Sequence, residues 1–396
     1  MPNHPSNSAI HLLDGRFYAS DAHRHFDWMR INAPAYWDET SQLWGVTRHA
    51  DVMELSKRPE AFCSGGSSRP DAPPIPSMIN LDDPAHRRRR GLVSKGFTPR
   101  RVADHEPKIR RICVDLVERA AAKGQFDFVH DVAAPLPMAV IGDLLGFEPG
   151  EHDALLRWSD DMICGLSASA PPEALDAALH AFEEYSLYHR RVVADRRAKP
   201  PQDDLMSALV YAEIDGERLD DEALLQESLL ILIGGDETTR HVISGGMHAL
   251  LQHPGQRRQL ADAPARIPAA VEEMLRWVTP IQNMNRTATR DIELHGETIR
   301  AGDKVLLLYP AANRDERVFA EPHRFDIERS PNPHVAFGGY GAHFCLGASL
   351  ARLELCVMFD ELIPRLPTLE LVSDDPPPLR PSNFIVGIER LPVRVA

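Results

Sequence analysis

Apolar and charged positions recur at helical spacing over residues 104–123, 150–165, 173–197 and 220–252, with breaks at glycine and proline. The last stretch is the longest, about 33 residues or ~50 Å at 1.5 Å per residue. Asp220 is placed to cap its start, and Pro254 follows its end. So long a helix is expected to run through the body of one large domain. Segments with strand character are few and short: Tyr36–Trp37, Leu43–Thr47, Asp291–Leu294, Lys304–Tyr309 and Val386–Glu389. The pattern therefore predicts a mainly α protein with a small β portion near the N-terminus and another in the last third. Prolines cluster at Pro70, Pro73, Pro74 and Pro76, and again at Pro376, Pro377 and Pro378. No long polar tract accompanies them, so they mark loops rather than linkers. No repeat of solenoid or propeller period is present. A single domain over residues 1–396 is expected.

Composition narrows the function classes. Hydrophobic residues make up 43% of the 396 positions, which excludes a disordered chain. The net charge of −14 argues against bulk binding to nucleic acid or an anionic membrane. Five scattered cysteines, Cys63, Cys113, Cys164, Cys345 and Cys356, contain no CxxC pair. That disfavours a disulfide framework or a structural zinc site and fits a reducing compartment. The most apolar run, Leu229 to Gly235, is far short of the ~18 residues that span a bilayer. The N-terminal MPNHPSNSAIHLLDG has no basic segment followed by an apolar one. A cytoplasmic protein without a membrane anchor, and without a nucleic-acid partner, is the expectation.

The chemistry gathers around one cysteine. Residues 334–350 read HVAFGGYGAHFCLGASL, with Gly338, Gly339 and Gly341 before Cys345 and a helical stretch, Ala348–Leu362, after it. Glycines let a backbone approach a large planar group, and a helix N-terminus favours a thiolate. The plain reading of a lone cysteine is a buried free thiol, and it suits the other four. For Cys345 the whole window resembles the cytochrome P450 family, in the match F-G-G-Y-G-A-H-F-C-L-G. The resemblance implies a cytochrome P450 fold, with the long central helix over a haem and a proximal cysteine loop. Cys345 would be the axial thiolate ligand, which favours O–O cleavage. One departure stands out. The common bacterial pattern puts the Phe seven residues before the Cys, whereas Phe337 is eight before, because of an extra glycine.

Three further segments match in the same order. Gly234-Gly235-Asp236-Glu237-Thr238-Thr239 puts acids and alcohols into an otherwise apolar helix. A GGDE run also opens a cyclic-dinucleotide synthase signature, but that one sits on a hairpin. By the resemblance, Gly235 opens a groove over the haem, Thr238 hydrogen-bonds the oxygen to be activated, and Glu237 feeds it protons from solvent. Glu273-Met274-Leu275-Arg276 is E-x-x-R, common as a surface pair. With Ala311–Asp315 and Pro322-His323-Arg324-Phe325 downstream, it implies a buried network of Glu273, Arg276 and Arg324 that supports the Cys345 loop. Asp82–Arg90 carries a basic run, ordinarily a solvated helix face. The resemblance assigns His86 and Arg90, one turn apart, to the haem propionates, joined by Arg286 and His343. Arg87, Arg88 and Arg89 would then lie on the proximal rim, facing an acidic electron donor.

Within the family the sequence is most similar to actinobacterial hydroxylases of the cholesterol and cholest-4-en-3-one side chain. Matching stretches include Asp14–Tyr18, Ala134–Gly142, Trp158–Asp161, Leu229–His241 and Arg380–Phe384. Candidate pocket residues are Ile75, Met78, Ile79, Met162, Leu166, Ile233, Val278, Ile281, Met284 and Ile385, almost all apolar, as a sterol or branched lipid requires. The implied cofactor is heme b, with O2 as co-substrate. Electrons would come from NAD(P)H through a ferredoxin reductase and a ferredoxin, because no G-x-G-x-x-G follows a strand and opens a helix. The chain is expected to act as a monomer. Two other functions stay open at this stage: a tailoring oxidase for a macrolide, peptide or terpene, and a haem protein that binds ligand without turnover. The Glu237-Thr238 pair speaks against the latter.

Overall fold

The computed structural model describes residues 4–165, 171–214 and 216–395. In chain order, strands β1 (Ala35–Asp38) and β2 (Leu43–Val46) precede helix α1 (His49–Ser56), the short strand β3 (Phe62–Cys63) and helix α2 (Ala85–Val93). Helices α3 (Glu106–Ala122), α4 (Pro135–Leu144), α5 (His152–Gly165), α6 (Pro172–Ala198) and α7 (Asp221–Gln252) form the body. Helix α8 (Ile267–Val278), strands β4 (Asn283–Ala288) and β5 (Lys304–Leu308) and helix α9 (Ala348–Arg365) complete the frame.

The four helical stretches read from periodicity are all present, with ends shifted by a residue or two. Their limits have local causes. The Asp220 carboxylate accepts from the Ala223 N–H at 2.7 Å and starts α7. Pro254 opens the next short helix rather than extending this one. Apolar residues on several faces of α7, among them Leu224, Ile231, Leu232, Ile243 and Leu250, are buried. The helix packs against α4, α5, α8 and α9 and so lies inside the molecule.

The strand expected at Asp291–Leu294 forms a separate hairpin with Glu297–Ile299, whereas the N-terminal strands and the one expected at Lys304–Tyr309 share one sheet. Its strand order is β1-β2-β5-β4-β3. Strand β2 pairs with β5 in parallel, Gly45 opposite Leu306, and the other pairs are antiparallel. Strand β4 escaped the sequence reading because NMNRTA has one β-branched residue, Thr287, and no aromatic. Its asparagines do structural work instead. Asn283 Nδ2 donates to the Asn383 carbonyl at 2.7 Å, and Asn285 Nδ2 to the Ser67 carbonyl at 2.9 Å. Val386–Glu389, expected as a strand, is not one. That region contributes only the single bridges Ile281–Ile385 and Leu379–Ile388. Among the described residues no helix is long and apolar enough to cross a membrane.

Candidate active site

Helix α7, the residues before α9 and strand β4 enclose an internal cavity. Cys345 lies on its wall, two residues before Gly347 and the start of α9. The Cys345 side chain is accessible, and the space it opens onto is this cavity. Its own N–H donates to the Phe337 carbonyl at 3.0 Å, which closes the loop. Burial pushes the thiol pKa up, while the N–H groups of Gly347 and Ala348 and the charges of Arg90 and Arg352 pull the other way. A thiolate here therefore calls for a cation on the cavity side.

The glycines are used for close approach. A Cβ on Gly341 would stand 1.7 Å from the Ser56 carbonyl oxygen of α1, and one on Gly339 2.3 Å from Ser56 Oγ. Only glycine lets the loop lie on α1 in this way. The additional glycine is absorbed where Gly338 takes φ +94° and Tyr340 +59°. Phe337 still lines the cavity, and the Arg352 guanidinium lies 4.6 Å from its ring centroid.

One edge of the cavity is a cluster of basic groups. His86 and His343 stack with ring centroids 4.0 Å apart, and Arg90 and Arg286 line the same wall. Arg286 is buried and donates to the neighbouring Asn285 carbonyl at 2.8 Å, but among the described residues no carboxylate pairs with it. His86 Nδ1 lies 3.5 Å from Asp83 Oδ1, but among the described residues its buried Nε2 has no partner. Burial, helped by Arg286, His86 and Arg90, depresses the His343 pKa to about 3. Buried cations without counter-charge are costly. This edge therefore fits a group that brings its own anions, as the two carboxylates of a haem would, and the thiol beside it fits the iron.

Opposite Cys345, α7 presents Leu230, Ile231, Gly234, Gly235, Thr238, Thr239 and Val242 to the cavity. Thr238 Oγ1 donates to the Gly234 carbonyl at 3.0 Å. Glu237 does not line this cavity. Its carboxylate is buried on another face of the helix, bonded to Arg240 and to Arg380 Nη1 at 2.9 Å, with His241 Nε2 at 3.3 Å. Burial works against that charge, but Arg240, His241 and Arg380 hold the carboxyl well below its usual range. Two buried acids nearby were missed by the sequence reading. Asp236 is raised to about 8 by burial, with Arg240 and Ser159 opposing the rise. Glu354 of α9 lines the cavity and is raised well above the carboxylate range, by burial first and by Asp236 second. The signal for Glu354 was an acid on the helix that follows the cysteine.

The network behind the cysteine loop requires a correction. Glu273 and Arg276 form a fully buried two-pronged pair, both contacts 2.7 Å. Arg324 is not its third member. Its side chain is exposed and pairs with Glu321, and only its carbonyl enters, accepting from Arg276 Nη2 at 3.1 Å. Arg329 takes that place, with Nε 3.1 Å from Glu273 Oε2 and 7% of the side chain exposed. The chain turns at Glu321–Arg324, and the Asp326 N–H then donates to Glu273 Oε1 at 2.9 Å, which brings Arg329 rather than Arg324 to the same carboxylate. The basic run also divides. Arg87 is exposed and pairs with Asp83, whereas Arg89 turns inward to Glu227 and does not belong to an outer rim.

Of the pocket candidates, Met78, Ile79, Ile281 and Met284 line the cavity. Met162, Ile233, Val278 and Ile385 do not, and are packed into the protein instead. Ile75 is 42% exposed on the outside, and Leu166 lies outside the described residues. Phe97, Leu230 and Ile231 are lining residues that the sequence reading missed.

The sequence matches the Cytochrome P450 family model over residues 267–395. It is 49% identical over 386 residues to a steroid C26-monooxygenase of Mycobacterium tuberculosis, covering 97% of this chain and 96% of that protein. A methyl-branched lipid omega-hydroxylase of Mycobacterium bovis is 40% identical over 376 residues, covering 92% and 87%. Among solved structures, a Mycobacterium marinum cytochrome P450 in complex with pseudoionone superposes with a TM-score of 0.91 at 35% identity, over 100% of both chains. With this identity along nearly its whole length, and with this fold around a cysteine-walled cavity, the chain belongs to the cytochrome P450 family.

Proposed function

We propose that the chain, folded as one domain, is a haem-thiolate monooxygenase for a terminal methyl group of a steroid side chain, with cholest-4-en-3-one or cholesterol as substrate. The observation that carries this reading is the cavity, with the Cys345 thiol on one wall, Thr238 on another and apolar side chains between. Membership of the family implies haem and O2-dependent oxygenation. The relatives that hydroxylate steroids and methyl-branched lipids support a terminal position on a long apolar substrate.

Heme b is the group these residues fit. Cys345 would hold the iron; His86, Arg90, Arg286 and His343 would meet the propionates; Phe337 and Gly235 would flank the ring. When bound, the haem supplies the activation of O2, for which a thiolate ligand is suited. The protein's own groups do the rest. Met78, Ile79, Ile281 and Met284 exclude water and hold an apolar chain by burial of its surface. Thr238 offers a hydroxyl proton inside the cavity, and Glu237, once turned from Arg240 and Arg380, reloads it through water. Electrons come from NAD(P)H through a ferredoxin reductase and a ferredoxin that docks on the Cys345 side of the molecule. The reading places a monomer in the cytoplasm, where that reductant is made.

The test is a titration of purified holoprotein with cholest-4-en-3-one, followed by turnover with a ferredoxin and its reductase. The expected result is a substrate-type difference spectrum and a product hydroxylated at a terminal side-chain methyl. No spectral change and no oxygenated sterol would overturn the substrate. Cys345→His is expected to lose the thiolate-type Soret band of the reduced carbonyl complex, and retention of that band would overturn the ligand.

A further inference from the structure

The roof of the cavity is the turn that follows a proline-rich segment with little regular structure of its own. Residues 70–77 contain four prolines, and the first regular turn after them is the short 3-10 helix Met78–Asn80. Met78 and Ile79 reach the cavity from it. What ties this turn to α7 is one carboxylate. Glu227 is completely buried, and its Oε1 accepts from the Met78 N–H at 2.8 Å and from Arg89 Nη1 of α2 at 3.2 Å. Among the described residues its buried Oε2 has no partner, nor has Ser77 Oγ next to the latched residue. One turn further along α7, Leu230 and Ile231 face the cavity, and Gly234 faces it a turn beyond them.

We propose that Glu227 is a positioning residue that latches the cavity roof to α7, setting where Met78 and Ile79 stand over the substrate, and that it releases the roof on protonation. The proposal rests on the cavity being the substrate site. A buried acid on an apolar helix is expensive, and here it does nothing in the cavity itself. Its contacts instead join three elements that would otherwise meet through apolar side chains alone.

The surroundings decide the pH response. Arg89 from α2 is the charge that faces Glu227. The Met78–Asn80 turn and the short helix Leu205–Val210 bring no ionisable side chain. From α6, Tyr185 is bonded to Ser228 Oγ at 2.8 Å, and His189 lies by Asp221 and Leu224. Burial raises Glu227 to about 7, with Arg89 and the Met78 N–H opposing it. Above that pH the ionised oxygen holds both donors. Below it the ion pair with Arg89 is lost and the Met78 bond is weaker.

The experiment compares wild-type holoprotein with Glu227→Gln, which keeps the shape and removes the charge. Amide hydrogen exchange of residues 75–81 is measured at pH 8 and pH 6, corrected for the intrinsic rate. In the wild type, protection is expected to fall about fivefold at the lower pH, the size of one ordinary hydrogen-bond contribution. Glu227→Gln is expected to give the low value at both. Arg89→Gln, which leaves the Met78 bond in place, is expected between them. Equal protection in wild type and Glu227→Gln at both pH values would overturn the latch. Parallel titrations with cholest-4-en-3-one and with imidazole separate the two readings. A sterol affinity that follows the exchange, with imidazole unaffected, supports the latch over a substrate. Sterol that binds neither protein overturns the substrate assignment alone, and the exchange data still decide the latch.

Discussion

Thr238 and Thr239 both line the cavity, yet they differ in exposure and in direction along the helix. Thr238 is partly open to the cavity and its hydroxyl is held by Gly234, whereas Thr239 is buried. One residue along a helix turns a side chain by about 100°. Removing the Thr238 hydroxyl should leave binding intact but take the proposed proton donor out of the cavity. Thr238→Ala is therefore expected to keep oxidising NAD(P)H while releasing more hydrogen peroxide and less hydroxylated product. Thr239→Ala should change that ratio less. Product formed per NAD(P)H oxidised, measured in both variants, checks the order, and a larger loss in Thr239→Ala would reverse the assignment. The sequence named Cys345, Thr238, His86, Arg90 and His343 because each sits in a short ordered motif. Asp236 stood in one of these motifs without a role of its own, and Glu227 and Glu354 had no such frame. Their importance lies in burial and in missing partners, which arise only when distant helices meet.

At the level of elements, the turn behind the cysteine loop separates two arginines that look alike in the sequence. Arg329→Met leaves the buried Glu273 carboxylate with one partner fewer. It is expected to cost about 3 kcal/mol, or about 3–4 °C in Tm for a chain of this size. Arg324→Met removes an exposed pair worth at most ~0.5 kcal/mol and should leave Tm within a degree or so of the parent. Thermal melts of the two variants side by side decide between them. The neighbouring clamp gives a pH prediction. Glu272 accepts from Arg352 at 2.7 and 2.9 Å and contacts His334 at 3.1 Å. Burial opposes its charge, but His334 and Arg352 lower its pKa to about 2, from an unfolded value near 4.5. A lowered acid stabilises above its unfolded pKa, and that contribution is lost as pH falls through the folded one. Glu272→Gln should thus be less stable than wild type at pH 7, with the gap closing between pH 4.5 and 2 in denaturant titrations. Periodicity found α7 and its neighbours because packing all round a helix leaves a long apolar trace. It failed for β4, where asparagine side chains tie down a strand poor in strand-forming residues, and for Val386–Glu389, where Val386 and Ile388 suggest a strand but the region makes only single bridges.

For the molecule as a whole, membership of the family carries the expectation that redox partners supply the electrons. Holoprotein with NAD(P)H alone should be inactive, and addition of a ferredoxin and its reductase should restore turnover, with a rate that falls as salt screens the docking charges. Turnover without a partner or peroxide would contradict this. The mixed sheet adds a constraint on how the molecule comes into being. Strand β2, buried along its length in the finished fold, acquires its parallel neighbour only when Leu306 is available to face Gly45. At about 5–20 residues per second, the ribosome delivers that neighbour roughly 13–50 s after β2 has been made. Throughout that interval the segment LWGV offers an apolar, unpaired edge of the kind that seeds aggregation. A stalled nascent chain that ends before Lys304 should therefore be held by chaperones or precipitate, and release of the full-length chain is the event that withdraws this edge from other molecules.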